Sequence, residues 1–230
     1  MDDTTKEERK RSAIETAILL HLKQKDKRSE PVAEERRKQV FRRRAIDIAR
    51  IAYAHKKDKR GEDVIDHSIA VASMCKSETD RCAALLHDLV EDTEISLEFL
   101  RECFDDIKEY GPIDDIIEAV KYLTWEPGVT PEEYLTQIAR ADKPIAFKVK
   151  MVDMRHNSSD ERNPISVFGQ KVVADRKKKY RGRQDFLEKE RAKYLKEKMK
   201  KEKGAERLLR NIEMKIKKQS LKNTQTTTKD

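Results

Sequence analysis

The chain has 230 residues, enough for one ordinary all-helical domain with extensions, and its few aromatic residues and short β-branched runs argue against a sandwich or barrel. The formal net charge is +8, but residues 171–218 alone hold 20 Lys and Arg against 8 Asp and Glu. The remainder of the chain is therefore net acidic, so the tendency of a basic protein to bind nucleic acid or other polyanions applies here only to that C-terminal segment.

Apolar residues recur at helical spacing in successive segments, and Gly, Pro or acidic clusters separate those segments. Two helix starts carry clear capping signals, at Ser96 and at Thr130 followed by Pro131. The predicted helices cover, in chain order, residues 6–25, 32–57, 63–76, about 78–89, a short segment after 96, 113–123, a segment from 131, 143–157 and a long basic segment from about 164 to 218.

These segments predict an all-α protein with four parts. The parts are an N-terminal helical extension (residues 1–32), a helical domain (33–165), a basic helical arm (166–220) and a disordered polar tail (221–230). No segment has the strand–turn–helix pattern that a P-loop or a dinucleotide site requires.

The cysteines and the hydropathy of the chain bear on its compartment. Cys75, Cys82 and Cys103 are odd in number and form no Cys-x-x-Cys pair, which argues against a disulfide framework or a zinc knuckle. The first residues lack the apolar core of a signal peptide, and no apolar stretch approaches the roughly 18 to 20 residues of a membrane helix. We therefore expect a soluble, cytoplasmic protein that has no membrane partner.

The strongest chemical pattern lies at the end of an apolar helix. His87 and Asp88 are adjacent there. Glu91 follows His87 by four residues, and Asp92 follows Asp88 by four. Acids at a helix C-terminus oppose the helix dipole and repel one another, so a bound cation would offset the cost. The alternative is a capped helix end beside a solvated acidic loop.

Two further elements could complete a metal site. His67 lies on a helix with many apolar or small residues, where a lone histidine is ordinarily a core or surface residue. Asp153 follows a mostly apolar run and shares a helix face with Asn157, four residues later. Imidazole nitrogen and carboxylate oxygen together suit Mn, Fe, Zn or Mg.

Four segments in the same order resemble a known family. Residues 84–93 (ALLHDLVEDT) closely resemble the motif of the alarmone hydrolase domain of the HD superfamily, which occurs in the (p)ppGpp synthetase–hydrolases of the stringent response and in small hydrolase-only relatives. Residues 54–60 (AHKKDKR), 64–68 (VIDHS) and 150–157 (KMVDMRHN) resemble its three other motifs. The likeness covers roughly residues 45–160 and implies an HD-domain helical bundle with an N-terminal helix and a long basic C-terminal arm.

The resemblance also implies a role for each matched residue. One divalent metal, typically Mn²⁺ in this family, would be held by His67, His87, Asp88 and Asp153. Glu91 and Asp92 would orient or deprotonate the attacking water. The nucleotide would be bound by Lys59, Arg60 and Asn157. His55 falls outside the ligand set and is interpreted as structural.

The substrate implied by the resemblance is guanosine 3′,5′-bis(diphosphate), hydrolysed to GDP and pyrophosphate. The sequence departs from the family around the motif histidine, where Asp63 and Val64 replace Pro-Tyr and Ser68 replaces Pro. Another HD nucleotide phosphohydrolase, such as a 5′-nucleotidase or a cyclic-nucleotide phosphodiesterase, therefore stays open. A third hypothesis is a non-catalytic HD scaffold that binds nucleic acid or protein through the basic arm.

The arm itself has a partial apolar stripe, which includes Tyr180, Phe186, Tyr194 and Leu195. A helix packed on its own domain with a solvated basic face would explain this pattern. Oligomerisation and RNA binding are the alternatives.

Overall fold

The computed structural model describes residues 13–26 and 34–226, and every regular element within them is helical. The predicted all-α fold class is therefore confirmed. The helices are α1 (Ala13–Asp26), α2 (Glu34–Ala52), α3 (Val64–Met74), α4 (Glu78–Leu86), α5 (Leu89–Asp92), α6 (Leu97–Glu102), a 3-10 helix (Asp105–Tyr110), α7 (Ile113–Leu123), α8 (Pro131–Arg140), α9 (Ile145–Asn157), α10 (Ile165–Phe168) and α11 (Gln170–Thr226).

Helix α4 is the centre of the bundle. Ser77 caps it, because its hydroxyl accepts the backbone N–H of Asp80 at 3.1 Å. All residues from Cys82 to Leu86 are buried, and the helix packs against α2, α3, α7 and α9. The C-terminal end of α4 consequently lies in the interior of the protein, where a charged side chain needs a partner.

The two predicted helix starts are confirmed. Ser96 accepts the backbone N–H of Phe99 and begins α6. Thr130 and Glu133 form a reciprocal capping box at the start of α8, with Pro131 as its first residue. Both signals are local, which is why the sequence suffices to identify them.

Two predicted helices end earlier than their apolar pattern indicates. Helix α2 ends at Ala52 instead of residue 57, because the turn after it places His55 at a φ of 64°, in the left-handed region. The helix predicted to continue to residue 89 ends at Leu86, and α5 begins after His87 and Asp88. This interruption leaves these two side chains between helices.

The C-terminal segment is longer and more helical than predicted. Gly169, at a φ of 77°, separates the short α10 from α11, which continues to Thr226 although a disordered tail was predicted from residue 221. The first predicted helix also includes residues 6–12, and the predicted tail includes 227–230, which lie outside the described residues.

The described residues up to Leu187 form one compact unit, and those from Glu188 onward form a second. The predicted domain boundary at residue 165 differs from this division, because the beginning of α11 belongs to the first unit. Val173 and Leu187 of that segment are buried. Among the described helices, none combines the length and apolar character that crossing a membrane requires.

Candidate metal centre and its pocket

His87 follows directly on the buried end of α4 and is fully buried itself. Its Nδ1 lies 2.7 Å from the carbonyl oxygen of Ala84, which can only accept a hydrogen bond. Nδ1 therefore carries the proton, and in the neutral ring Nε2 presents a lone pair. This Nε2 is buried and has no hydrogen-bond partner among the described residues.

His67, in the first turn of α3, is oriented in a similar way by a second histidine. Its Nδ1 lies 2.8 Å from Nδ1 of His156 on α9. Its Nε2 points towards carboxylates, 3.1 Å from Oδ1 of Asp153 and 3.8 Å from Oδ2 of Asp88. One ring nitrogen is thus fixed by a hydrogen bond, and the other is available as a ligand.

Four side chains from three parts of the fold meet at one point. The Nε2 of His87 lies 3.0 Å from Oδ2 of Asp88 and 3.8 Å from Oδ1 of Asp153. Ligand atoms of His67, His87 and Asp153, all three buried, lie within 4.8 Å of one another. The structure therefore brings together all four residues that the family resemblance implies as metal ligands.

The spacing and chemistry of these atoms fit one divalent cation. An ion about 2.1 Å from two ligands holds them about 3.0 Å apart at a right angle and about 3.4 Å apart at the tetrahedral angle. The four nitrogen–oxygen distances of 3.0 to 3.8 Å are close to these values. Neutral imidazoles and carboxylates would face one another with lone pairs only, so the donor set needs a positive charge, which a divalent cation can supply. This arrangement fits an HD-type site.

The same requirement for positive charge affects the titration of His87. Burial lowers the pKa of His87, but the carboxylates of Asp88 and Asp153 outweigh burial and raise it to about 10. Burial alone would raise the pKa of Asp153. The cation of Lys150, together with His67 and His87, outweighs burial and holds this pKa well below its usual value. The cluster thus binds protons strongly when no other cation compensates it.

Lys150 and Asn157 hold Asp153 from both sides. The Nζ of Lys150 lies 2.9 Å from Oδ2 of Asp153 and 5.2 Å from the centre of the Tyr134 ring. The amide nitrogen of Asn157 donates to Oδ1 of Asp153 at 2.5 Å. Oδ1 is thereby directed at the two histidines, and Asn157 contacts the cluster directly.

A pocket of about 440 Å³ opens beside the cluster, a size typical of small-molecule sites. His67, Asp88, Asp92 and Asn157 form its wall on the side of the cluster. The pocket also has cationic side chains, namely Lys57, Lys59, Arg60, Arg162 and Arg176. A basic pocket next to a candidate metal centre suits a ligand that carries several negative charges.

The structure places both predicted cationic residues, Lys59 and Arg60, in this pocket. Lys59 is exposed. The guanidinium of Arg60 is occupied differently from the prediction: it pairs with Asp58 and Glu62 and donates to the carbonyl oxygen of Glu161. Arg60 therefore helps to build the pocket wall.

The two predicted catalytic acids point in different directions. Asp92 lines the pocket. Its pKa is raised, mainly because burial removes water from the carboxylate and also because Asp88 and Glu91 are negatively charged. Glu91 instead accepts the backbone N–H of Trp125 at 3.1 Å. Asp92 is thus the acid that the structure places beside the metal cluster.

Sequence reasoning assigned no role to several residues of the site. His156 contacts His67, while Phe168, Arg176 and Tyr180 line the pocket from α10 and α11. For Arg176 and Tyr180 the only signal was the recurrence of residues 173, 176, 180 and 187 on one helical face.

No family model and no curated protein matches the chain. A solved structure similar to this chain is that of a metazoan ortholog of SpoT, a protein described as hydrolysing ppGpp and playing a role in starvation responses. The two are 22% identical with a TM-score of 0.45, and the match covers 74% of this chain and 98% of that chain.

Proposed function

We propose that this protein is a metal-dependent phosphohydrolase of the HD superfamily that acts on a phosphorylated nucleotide. The observation that carries the proposal is the meeting of four ligand atoms, from His67, His87, Asp88 and Asp153, beside a basic pocket. These residues stand in the order of the family motifs, which makes a chance cluster a poor explanation.

The donor set of two imidazoles and two carboxylates suits a divalent ion, and Mn²⁺ is the ion that we propose. When bound, such an ion acts as a Lewis acid that makes water a better nucleophile and stabilises charge on phosphoryl oxygens. Lys150 and Asn157 would keep Asp153 in its ligating orientation.

Asp92 is our candidate for the general base. Its raised pKa makes it a stronger proton acceptor than an ordinary carboxylate. Glu91, its neighbour, would orient the attacking water or fix the loop through Trp125. Lys59, Arg60 and Asn157 would bind the nucleotide, with Arg60 acting through the pocket wall that it forms.

The substrate that we propose is guanosine 3′,5′-bis(diphosphate), on the strength of the four motif segments and the basic pocket. Water attacks the phosphorus bonded to the ribose 3′ oxygen, and the bond between them breaks. The water oxygen stays on the released pyrophosphate, and the 3′ oxygen takes up a proton to give GDP.

The test is incubation of the full chain with Mn²⁺ and this nucleotide, followed by ion-exchange chromatography of the products. We expect GDP and pyrophosphate from the wild type and none from Asp88→Ala. Asp66→Ala is the matched control, because Asp66 is exposed on α3 next to His67. Turnover that survives Asp88→Ala would refute the proposal.

A nucleotide panel separates the narrower proposal from the broader one. Asp88-dependent hydrolysis of a nucleoside 5′-monophosphate or a cyclic nucleotide, with no action on the bis(diphosphate), would reject the alarmone substrate and keep the phosphohydrolase. One metal ion bound per chain without any hydrolysis would favour the scaffold hypothesis.

A further inference from the structure

The cations of the pocket differ in how far neighbouring acids neutralise them. Asp58 contacts two of them, lying 3.3 Å from Nε of Arg60 and 2.8 Å from Nη1 of Arg162. Arg60 also pairs with Glu62. A guanidinium already held by carboxylates has fewer donors left for a ligand, and its charge is offset.

Arg176 is held without any acid. Its Nη1 donates to the amide oxygen of Asn163 at 2.7 Å, and its guanidinium carbon lies 4.2 Å from the centre of the Phe168 ring. It forms no ion pair with another described residue, whereas Lys57 pairs with Asp63 at 2.9 Å. The charge of Arg176 is therefore uncompensated within the pocket.

Its two contacts also fix the plane of the guanidinium. Stacking on Phe168 and the hydrogen bond to Asn163 reduce the rotamer freedom that a ligand would otherwise have to remove. The N–H groups that remain form the planar fork that binds phosphate through two parallel hydrogen bonds. Exposed Lys59 has neither constraint.

We propose that Arg176 on its Phe168 platform binds a phosphate group of the substrate other than the one attacked at the metal cluster, and so selects nucleotides that carry a second phosphate. The inference rests on the proposed function, since it concerns the same pocket. Arg176 lies outside the motif segments, so the family resemblance assigns it nothing.

The test measures binding of GDP to the full chain by calorimetry, which needs no turnover. We expect Arg176→Gln to weaken GDP binding about 10- to 100-fold, as loss of a charge-assisted pair does, and Arg176→Lys to weaken it less. Lys177→Gln is the matched control, because Lys177 pairs with Asp160 at 2.6 Å and does not line the pocket. It should bind GDP like the wild type.

The Asp88→Ala variant separates this inference from the proposed function. GDP binding that depends on Arg176 should persist in that variant even if no hydrolysis is ever found. For the active enzyme, Arg176→Gln should raise KM while kcat stays within about twofold. Equal GDP binding by Arg176→Gln and wild type, or no GDP binding by the wild type, would overturn the inference.

A second observation concerns the unit from Glu188 onward and is independent of the pocket. Seven exposed cations follow one another at alternating intervals of four and three residues, so they share one face of α11 over about 32 Å of helix axis. This cationic face consists of Lys189, Lys193, Lys196, Lys200, Lys203, Arg207 and Arg210.

Acidic residues of the same stretch lie on other faces of the helix. Lys193 and Arg210 have glutamates nearby, Glu190 at 3.8 Å and Glu206 at 3.4 Å, and exposed pairs of this kind contribute little. The only other residue that helical geometry places on this face is Ala192, and Met199 lies at its border. The face therefore lacks the large apolar residues that insert into a membrane.

We infer that the cationic face binds the phosphate backbone of a nucleic acid duplex. The test is the salt dependence of duplex DNA binding by the full chain, measured by fluorescence anisotropy. Binding weakens as salt rises, so the slope of log K against log salt is negative. Replacing Lys196 and Lys200 with Gln should make this slope less steep by about 1.8, because each neutralised phosphate contributes about 0.9.

The matched control replaces Lys198 and Lys201, which lie on other faces of the same turns, and should leave the slope unchanged. Binding to phosphatidylserine vesicles without binding to DNA would overturn the inference and assign the face to membranes. Equal slopes for the two double variants would overturn it as well.

Discussion

The histidines of the metal cluster show how much depends on the ring nitrogen that does not face the ion. His87 uses the carbonyl oxygen of Ala84 for this purpose, and His67 uses the ring of His156. If Nε2 of His67 is the ligand atom, its Nδ1 carries the proton and His156 accepts it. A side chain outside the ligand set thereby fixes the tautomer of a ligand.

We expect His156→Leu to weaken Mn²⁺ binding by about 10- to 100-fold, the usual cost of losing such a partner. His156→Asn should retain most of the affinity, because an amide oxygen can accept the same hydrogen bond. Titration of the metal-free full chain with Mn²⁺ measures both. Equal affinity of the Leu variant and the wild type would contradict the role of His156.

Asp58 is a structural acid in the pocket wall, and its effect on stability should depend on pH. Burial raises the pKa of Asp58, but the backbone N–H groups of Arg60 and Glu62 and the nearby guanidinium groups lower it overall. Loss of these hydrogen bonds in Asp58→Ala should cost about 1–3 kcal/mol of unfolding free energy at neutral pH.

Because its pKa is lowered on folding, the contribution of Asp58 is complete above the unfolded value of about 3.9 and is lost as the pH falls through the folded value. Urea unfolding of wild type and variant should therefore differ by a constant amount above about pH 5 and by less below about pH 4. A difference that grows on acidification would contradict this assignment.

At the scale of elements, the chain is organised by where its helices stop. The break between α4 and α5 leaves His87 and Asp88 side by side at the interior end of the central helix. The sequence indicated that a cation bound at this helix end would offset the cost of its clustered acids, and the interruption provides the geometry. Helix starts were easier to predict, because caps such as Thr130 act within four residues.

The Thr130 capping box allows a direct test of this local stabilisation. Thr130→Ala should lower the free energy of unfolding by about 1 kcal/mol, because the backbone N–H of Glu133 loses its acceptor. Thr130→Ser retains a hydroxyl and should change it by only a few tenths of a kcal/mol. Equal destabilisation by the two substitutions would show that the methyl group matters, not the cap.

At the scale of the whole molecule, the residues that short motifs identify could be predicted from the sequence, and those that reach the site through long-range packing could not. The candidate metal ligands were identified because each motif is local and its order is distinctive. The pocket residues Arg176 and Tyr180 were not, because they share the pocket with residues such as Lys59 and His67, which lie more than a hundred residues earlier in the chain. Likewise, nothing local revealed that Asp58 would also pair with Arg162, 104 residues later in the chain.

The end of the first compact unit can be located by substitution. Leu187 is fully buried, so Leu187→Ala should cost about 2–5 kcal/mol of unfolding free energy. Leu195, in the second unit, is 44% exposed, and Leu195→Ala should change the free energy of unfolding by less than about 0.5 kcal/mol. Thermal unfolding of the full chain distinguishes the two, and similar costs would place Leu195 in a packed core.

Trp125 is the single tryptophan of the chain, and it stacks on Tyr134 with ring centres 4.9 Å apart. Together with Lys150, Asp153 and Asn157 it lines a small cavity of about 70 Å³ next to the metal cluster. The protein thus contains its own optical probe. Intrinsic fluorescence excited at the indole band comes from one ring beside the site, so binding there can be followed on unlabelled wild-type protein without a competing signal from another tryptophan.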